Sequence, residues 1–283
     1  DTQKRIFYTA LYHSAIAPNV FSDVDGRYRG MDKQIHQSDE AKYTVFSTWD
    51  TMRALHPLLT IIAPELNEEF IRTLLNMHKQ GGILPMWELA GNYTATMIGY
   101  NAVPIIVDSY MKGYRNFDND LAYQAILKTS SYDTTGIKDN KTYVNALMPI
   151  SKKYKNEIGF IPYDKEIESV AKGLEYAYQD WCVLQMAKDR NDAANIAKYE
   201  KLATNYKNYF DAETGFMRGK NLNGVWRTPF NPRASTHRED DYCEGTAWQW
   251  TWFVPHDVDS LVKLMGGKEK FINKLDGLFT ADS

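Results

Sequence analysis

At 283 residues the chain is long enough to bury a sizeable core without disulfides or a structural metal, as one large domain or two ordinary ones. A net charge of −3 with no long basic run argues against nucleic acid or an anionic membrane as the main partner. No apolar run approaches the roughly 18 residues that a membrane span needs, no signal peptide is visible, and Cys182 and Cys243 make neither a disulfide framework nor a metal-ligand spacing.

The chain opens at Asp1 on a helical pattern without a Met, which suggests a processed protein or an excised piece. Lys4–Ala17 reads as a helix, with Ile6, Phe7, Ala10 and Leu11 at helical spacing. Asn19–Tyr43 reads as a long irregular loop. Its Asp23-Val24-Asp25-Gly26 has a calcium-loop flavour, but the EF-hand register fails because the first ligand position falls on Phe21. The stretch WDTMRALHPLLTIIA predicts a helix capped by Ser47 or Thr48, kinked or divided by Pro57, with Trp49, Arg53 and His56 on one face and Asp50 beside Arg53. Glu65–Gln80 predicts a second helix, closed by Gly81-Gly82 and antiparallel to the first.

A loop carrying Trp87, Glu88 and Asn92 then leads into a helix expected from about Tyr93 to Gly113. Further helices are predicted at Phe117–Tyr132, around Val144–Lys155, at Lys165–Arg190, which is the longest, and at Asp192–Phe210. Asp-Ala-Glu-Thr-Gly after Phe210 is turn chemistry, and Phe216–Trp226 reads as a small hairpin turning at Asn221–Gly224.

The stretch Asp240–Asp259 concentrates the potential chemistry. Read as a helix from about Gly245 to Val254, it puts Glu244 at the helix N-terminus, with Trp248 and Trp252 following at i+4 steps on the same face. Indole surface would disfavour the carboxylate and the helix N-terminus would favour it, so the two effects oppose each other. His256 and Asp257 follow Pro255, where Asp257 is placed either to cap the next helix or to bind a ligand. A last helix spans Lys268–Phe279. The nine or ten helices, arranged as hairpins with no fixed sequence period, favour an all-α fold of the α/α-toroid type over a solenoid.

Taken together and in order, FSDVDGRYRGMD, FSTWDTMRALHPL, LPMWELAGNYTATMIGY, YAYQDWC, FDAETGFMRG and CEGTAWQWTWFVPHDV resemble glycoside hydrolase family 92, over essentially the whole chain. The resemblance implies a calcium-dependent, inverting exo-α-mannosidase on a six-hairpin α/α toroid, normally preceded by a β-sandwich domain. It maps the family's general acid onto Glu244 and its mannose-pocket loops onto Trp49, Asp50, Arg53, His56, Trp87 and Glu88. Trp248, His256 and Asp257, in the same stretch as Glu244, are further candidates for substrate binding. Mannose-containing glycans would be the substrates, and a bacterial exported, periplasmic or cell-surface location is implied by the same resemblance. The family's G-N-D-D-x-G-Q-M-S-A-W string, which carries the catalytic base, does not occur in this sequence. Nor does G-N-E-P-x-x-H, which carries most of the calcium and leaving-sugar contacts. The expectation is therefore a partial toroid over 1–283, inactive as a fragment, with the calcium ligands largely outside it. A non-catalytic carbohydrate-binding domain is the competing class; a polysaccharide lyase ranks behind it, since no basic groove for an acidic polymer is evident.

Overall fold

The computed structural model describes residues 1–236 and 238–281, and the chain divides into two compact units. The first comprises Asp1–Thr129 and Asp133–Met148, and the second comprises Ser130–Tyr132 with the residues from Pro149 onward.

In the first unit, helix α1 (Thr2–Ser14) buries none of its residues. The segment expected to be irregular instead contains two small antiparallel pairs. Strand β1 (Asn19–Val20) pairs with β4 (Tyr43–Thr44), and β2 (Arg27–Arg29) pairs with β3 (Ile35–Gln37). Asp25 turns its carboxylate to Arg27 at 2.6 Å, an ordinary turn contact. Strand β5 (Phe46–Ser47) runs into the single turn α2 (Thr48–Thr51), and the chain breaks before α3 (Leu55–Ile62). The break thus falls ahead of Pro57. That residue sits in the first turn of α3, where its missing N–H would have had no intrahelical partner. Helix α4 (Pro64–Gly81) starts on Pro64 and ends at Gly82, whose φ of 88° supplies the left-handed C-cap. Phe70, Ile71, Leu74 and Leu75 form its buried stripe against α3.

Strand β6 (Trp87–Glu88) pairs antiparallel with β5. The helix expected from Tyr93 starts only at α5 (Ala102–Met111). Tyr93 bridges back to Glu88, and Ala95, Met97 and Gly99 take positive φ, which no α-helix accommodates. Helices α6 (Asn119–Ser130) and α7 (Lys141–Leu147) follow.

The second unit is built around α9. Pro149 separates α7 from α8 (Ser151–Glu157), so the one short helix expected there is two. Helix α9 (Ser169–Asp189) is 21 residues long and buried on nearly every side. It packs against α8, α10 (Ala193–Leu202) and a 3-10 turn at Asn205–Tyr209. Its buried polar groups need partners, and they have them. Asp180 accepts both 2.7 Å hydrogen bonds from Lys155 Nζ, and Gln179 donates to Glu175 at 3.0 Å. Strands β7 (Phe210–Asp211) and β8 (Phe216–Met217) pair across the Asp-Ala-Glu-Thr-Gly turn, and an isolated bridge joins Lys220 to Trp226. The chain ends with α11 (Ala247–Trp250), α12 (Val258–Leu264) and α13 (Lys268–Thr280). Among the described residues no helix is long and apolar enough to cross a membrane.

Candidate active site

The stretch around Glu244 is not the helix that spacing suggests. Helix α11 begins at Ala247, behind an N-cap at Thr246. Thr246 and Gln249 form a reciprocal capping box, the Thr246 N–H donating to Gln249 Oε1 at 2.8 Å. Glu244 lies two residues before that cap with φ +46°, in the left-handed region that L side chains seldom occupy. The shared face proposed for Glu244, Trp248 and Trp252 therefore does not exist, because the first precedes the helix and the last follows its end.

What the backbone does instead is present Glu244 outward. Asp241, Tyr242 and Cys243 are 3%, 5% and 2% exposed, whereas Glu244 is exposed to solvent. Tyr242 Oη donates to the Met217 carbonyl at 2.7 Å, and the Trp250 indole N–H donates to the Cys243 carbonyl at 2.8 Å. The residues before Glu244 are thus engaged inward, and its carboxyl is left exposed. The indole rings do not enclose it. Trp248 lies edge-on to Phe216 at 4.9 Å and faces Gly277 of α13, and Trp252 lies edge-on to Phe271 at 5.3 Å.

His256 and Asp257 turn to local structure. One imidazole nitrogen, His256 Nε2, donates to the Ala203 carbonyl at 2.9 Å, among the rings of Tyr178, Trp181 and Tyr206. Burial holds its pKa below the ordinary histidine value. Asp257 caps α12 by accepting from the Ser260 N–H at 3.3 Å, and it accepts from Tyr206 Oη at 2.6 Å.

In the first unit the β5–β6 pair draws the two Trp-bearing motifs together, with Ser47 opposite Trp87 and Phe46 opposite Glu88. The Arg53 guanidinium stacks 4.9 Å from the centroid of the Trp49 ring, and the exposed Asp50 carboxylate accepts from Ser47 Oγ. Trp49 and Trp87 are half-buried and Arg53 is exposed, so these four side chains give a polar and aromatic surface suited to a sugar ring.

His56 and Glu88 do not belong to that surface. His56 is 1% exposed, with Nδ1 2.8 Å from Asn67 Oδ1 and its ring edge-on to Phe70. Since the amide oxygen only accepts, Nδ1 carries the proton and Nε2 is a bare acceptor. Burial lowers its pKa to about 4. Glu88 is fully buried and accepts from the Thr44 hydroxyl at 3.0 Å and the Gly91 N–H at 2.7 Å. Burial raises its pKa, against the pull of those hydrogen bonds. A small hollow walled by Phe21, Tyr28, Arg29, Gln80 and Gly91 also reaches it. Both residues are committed to buried contacts, His56 with α4 and Glu88 with Thr44 and Gly91.

The profile of the glycosyl hydrolase family 92 catalytic domain matches residues 1–283. The chain belongs to that family. Its fold class is accordingly all-α, of the α/α-toroid type. A family 92 α-mannosidase of Bacteroides thetaiotaomicron is 38% identical, with a TM-score of 0.88 over 99% of this chain and 36% of that one. A family 92 inverting mannosidase of the same organism is 32% identical, with a TM-score of 0.87 over 97% of this chain and 36% of that one. A secreted glycosidase of Arthroderma benhamiae, itself uncharacterized, is 27% identical over 98% of this chain and 34% of that protein. The chain thus spans about a third of the length of these relatives.

Sequence reasoning missed the ties that Arg227 and Ser169 make to Asp241, three residues before Glu244. Asp241 reads as the end of a polar loop, and the one available signal is that an acidic residue directly precedes the apolar Tyr-Cys pair.

Proposed function

We propose that the protein carrying this chain is an exo-acting α-mannosidase that hydrolyses terminal α-linked mannose with inversion, and that Glu244 is its general acid. The observation that carries this reading is the Glu244 carboxyl itself, standing outward from a buried and hydrogen-bonded segment at the family's acid position. An inverting glycosidase protonates the departing oxygen with one carboxyl and activates water with a second on the opposite face of the sugar. Glu244 supplies the first function. The second, by the resemblance, belongs to a motif that this sequence does not contain. Trp49, Asp50, Arg53 and Trp87 offer the stacking surface and hydrogen-bonding groups that a mannose ring requires.

Among the described residues no three His, Cys, Asp or Glu side chains converge to hold a metal ion. These described side chains therefore do not fit a calcium cage by themselves. Calcium dependence rests on the resemblance alone, which places most ligands in the missing motifs. Export, to the periplasm or surface of a bacterium, is proposed on the same footing, supported by the secreted fungal relative.

The test is mannose release from α-mannosides by the protein carrying this chain, with and without Glu244→Gln. Loss of a general acid lowers the rate about 10²–10⁴-fold, and an unchanged rate would remove Glu244 from the chemistry. Mannoimidazole, seen in complex with the Bacteroides α-mannosidase, is a suitable binding probe for the variant. The chain 1–283 assayed by itself is expected to release no mannose, because it supplies only the acid half of the pair.

A further inference from the structure

Three residues before Glu244 the chain is tied down by a side chain to which the proposed chemistry gives no task. The buried carboxylate of Asp241 is held by two side chains through three contacts. Arg227 Nε stands 2.9 Å from Oδ2 as an ion pair, Arg227 Nη2 donates to Oδ1 at 3.2 Å, and Ser169 Oγ donates to Oδ1 at 2.9 Å. The guanidinium is itself laid over the Tyr163 ring, 4.2 Å from its centroid. The backbone repeats the tie, since the N–H groups of Val170 and Ala171 donate to the Asp241 carbonyl at 3.0 and 3.1 Å. These belong to the first turn of α9, whose free amides need an acceptor. Gly219 makes room for the carboxylate. A Cβ at that position would stand 2.3 Å from Asp241 Oδ2.

A buried ion pair is by itself weak evidence for any purpose, since its desolvation cost offsets its attraction. The backbone beyond it gives this one a direction. Glu244 holds a left-handed φ, a conformation that a residue with a Cβ keeps only where its surroundings over-determine it, and such sites cluster where function needs a fixed geometry. On its far side the segment is held by the Trp250 indole on the Cys243 carbonyl and by the Thr246–Gln249 box. On its near side the restraint is Asp241. With both ends fixed, Glu244 cannot relax to an ordinary φ and swing its carboxyl away.

We infer that Asp241, locked by Arg227 and Ser169 and given space by Gly219, is a positioning residue that fixes the carboxyl of Glu244 for proton delivery to the departing sugar oxygen. The inference rests on the reading of Glu244 as general acid. It predicts a selective defect. A misplaced acid slows substrates whose leaving group needs a proton and spares those whose leaving group departs as a stable anion, whereas general loosening slows both alike.

The experiment compares kcat and KM for methyl α-mannoside and 2,4-dinitrophenyl α-mannoside in the protein carrying this chain, for Glu244→Gln, Asp241→Asn, Arg227→Lys and Gly219→Ala. Asp241→Asn and Gly219→Ala are expected to lower kcat on the methyl glycoside about 10- to 100-fold, with KM little changed and the dinitrophenyl glycoside largely spared. Arg227→Lys, which keeps the charge and loses the fork, falls between them and the unaltered protein. Equal losses on both substrates, or no loss on either, would overturn the positioning role. If Glu244→Gln itself shows no leaving-group selectivity, the acid assignment fails and the inference fails with it. A selective defect in Glu244→Gln that the Asp241 and Gly219 variants lack refutes the positioning role alone. Should Asp241→Asn not fold, Gly219→Ala and Arg227→Lys carry the comparison.

Discussion

Trp87 and Glu88 stand side by side in one motif and end on opposite sides of one strand. Successive side chains on a strand point to opposite faces, so a two-residue pairing that turns Trp87 toward the outer surface must turn Glu88 inward. The motif identifies both residues; only the pairing of β5 with β6 says which of them a ligand meets. The same limit applies to His56, whose helical spacing with Trp49 and Arg53 lapses once the helix breaks between α2 and α3. Glu88→Ala is expected to cost about 1–3 kcal/mol, because the Thr44 hydroxyl and the Gly91 N–H lose their buried acceptor. Thermal unfolding measures that loss, and a midpoint equal to that of the unaltered protein would mean the carboxyl braces nothing.

The elements divide into those with strong local punctuation and those fixed by distant contacts. Helix α4 was legible to within a residue, because Pro64 starts it, Gly82 stops it and its apolar stripe has helical spacing. Helix α9 was legible as the longest helix and at its C-terminal end, and not at its start. Its expected first turn, from Lys165, is forestalled at Glu168, where φ is positive and the N–H is drawn to the Asp240 carbonyl. The false helix at Tyr93 and the false helix at Gly245 have one origin. In both, apolar and aromatic residues at helical spacing pack as ordered loop, held by a bridge back to the preceding strand or by a cap that spacing cannot reveal. Between α8 and α9 the buried Lys155–Asp180 pair sets a clear expectation. Asp180→Ala removes the carboxylate that a buried ammonium faces and should destabilise the protein by about 3–5 kcal/mol, whereas Asp180→Leu paired with Lys155→Met should recover much of that. Chemical denaturation of the two variants provides the check.

For the whole molecule, the family was legible in six ordered motifs, yet the cluster of Asp241, Arg227 and Ser169 beside the proposed acid was not, since these residues lie far apart in sequence and no local pattern joins them. Acid sensitivity is a second property of the whole. His56 and His78 are both held near a pKa of about 4 by burial, so each is neutral in the folded protein where the unfolded chain would bind a proton. The stability they support is complete above the ordinary histidine pKa and is lost as pH falls toward the folded value. His56, the more deeply enclosed, should account for about 2 kcal/mol between about pH 7 and about pH 5. His56→Gln should flatten that part of a stability–pH curve, and an unchanged slope would show that the imidazole is protonated in place.

Cys243 sits one residue before the proposed acid, with its thiol buried and its pKa pushed up, first by that burial and then by the Glu168 carboxylate. An alkylating reagent attacks thiolate and needs access, so the folded protein should resist it. The rate at which iodoacetamide slowly marks Cys243 then becomes a clock for how often the acid's own support comes undone. Variants at Asp241 that run this clock faster without lowering the global unfolding midpoint would locate the slack in that one stretch of chain.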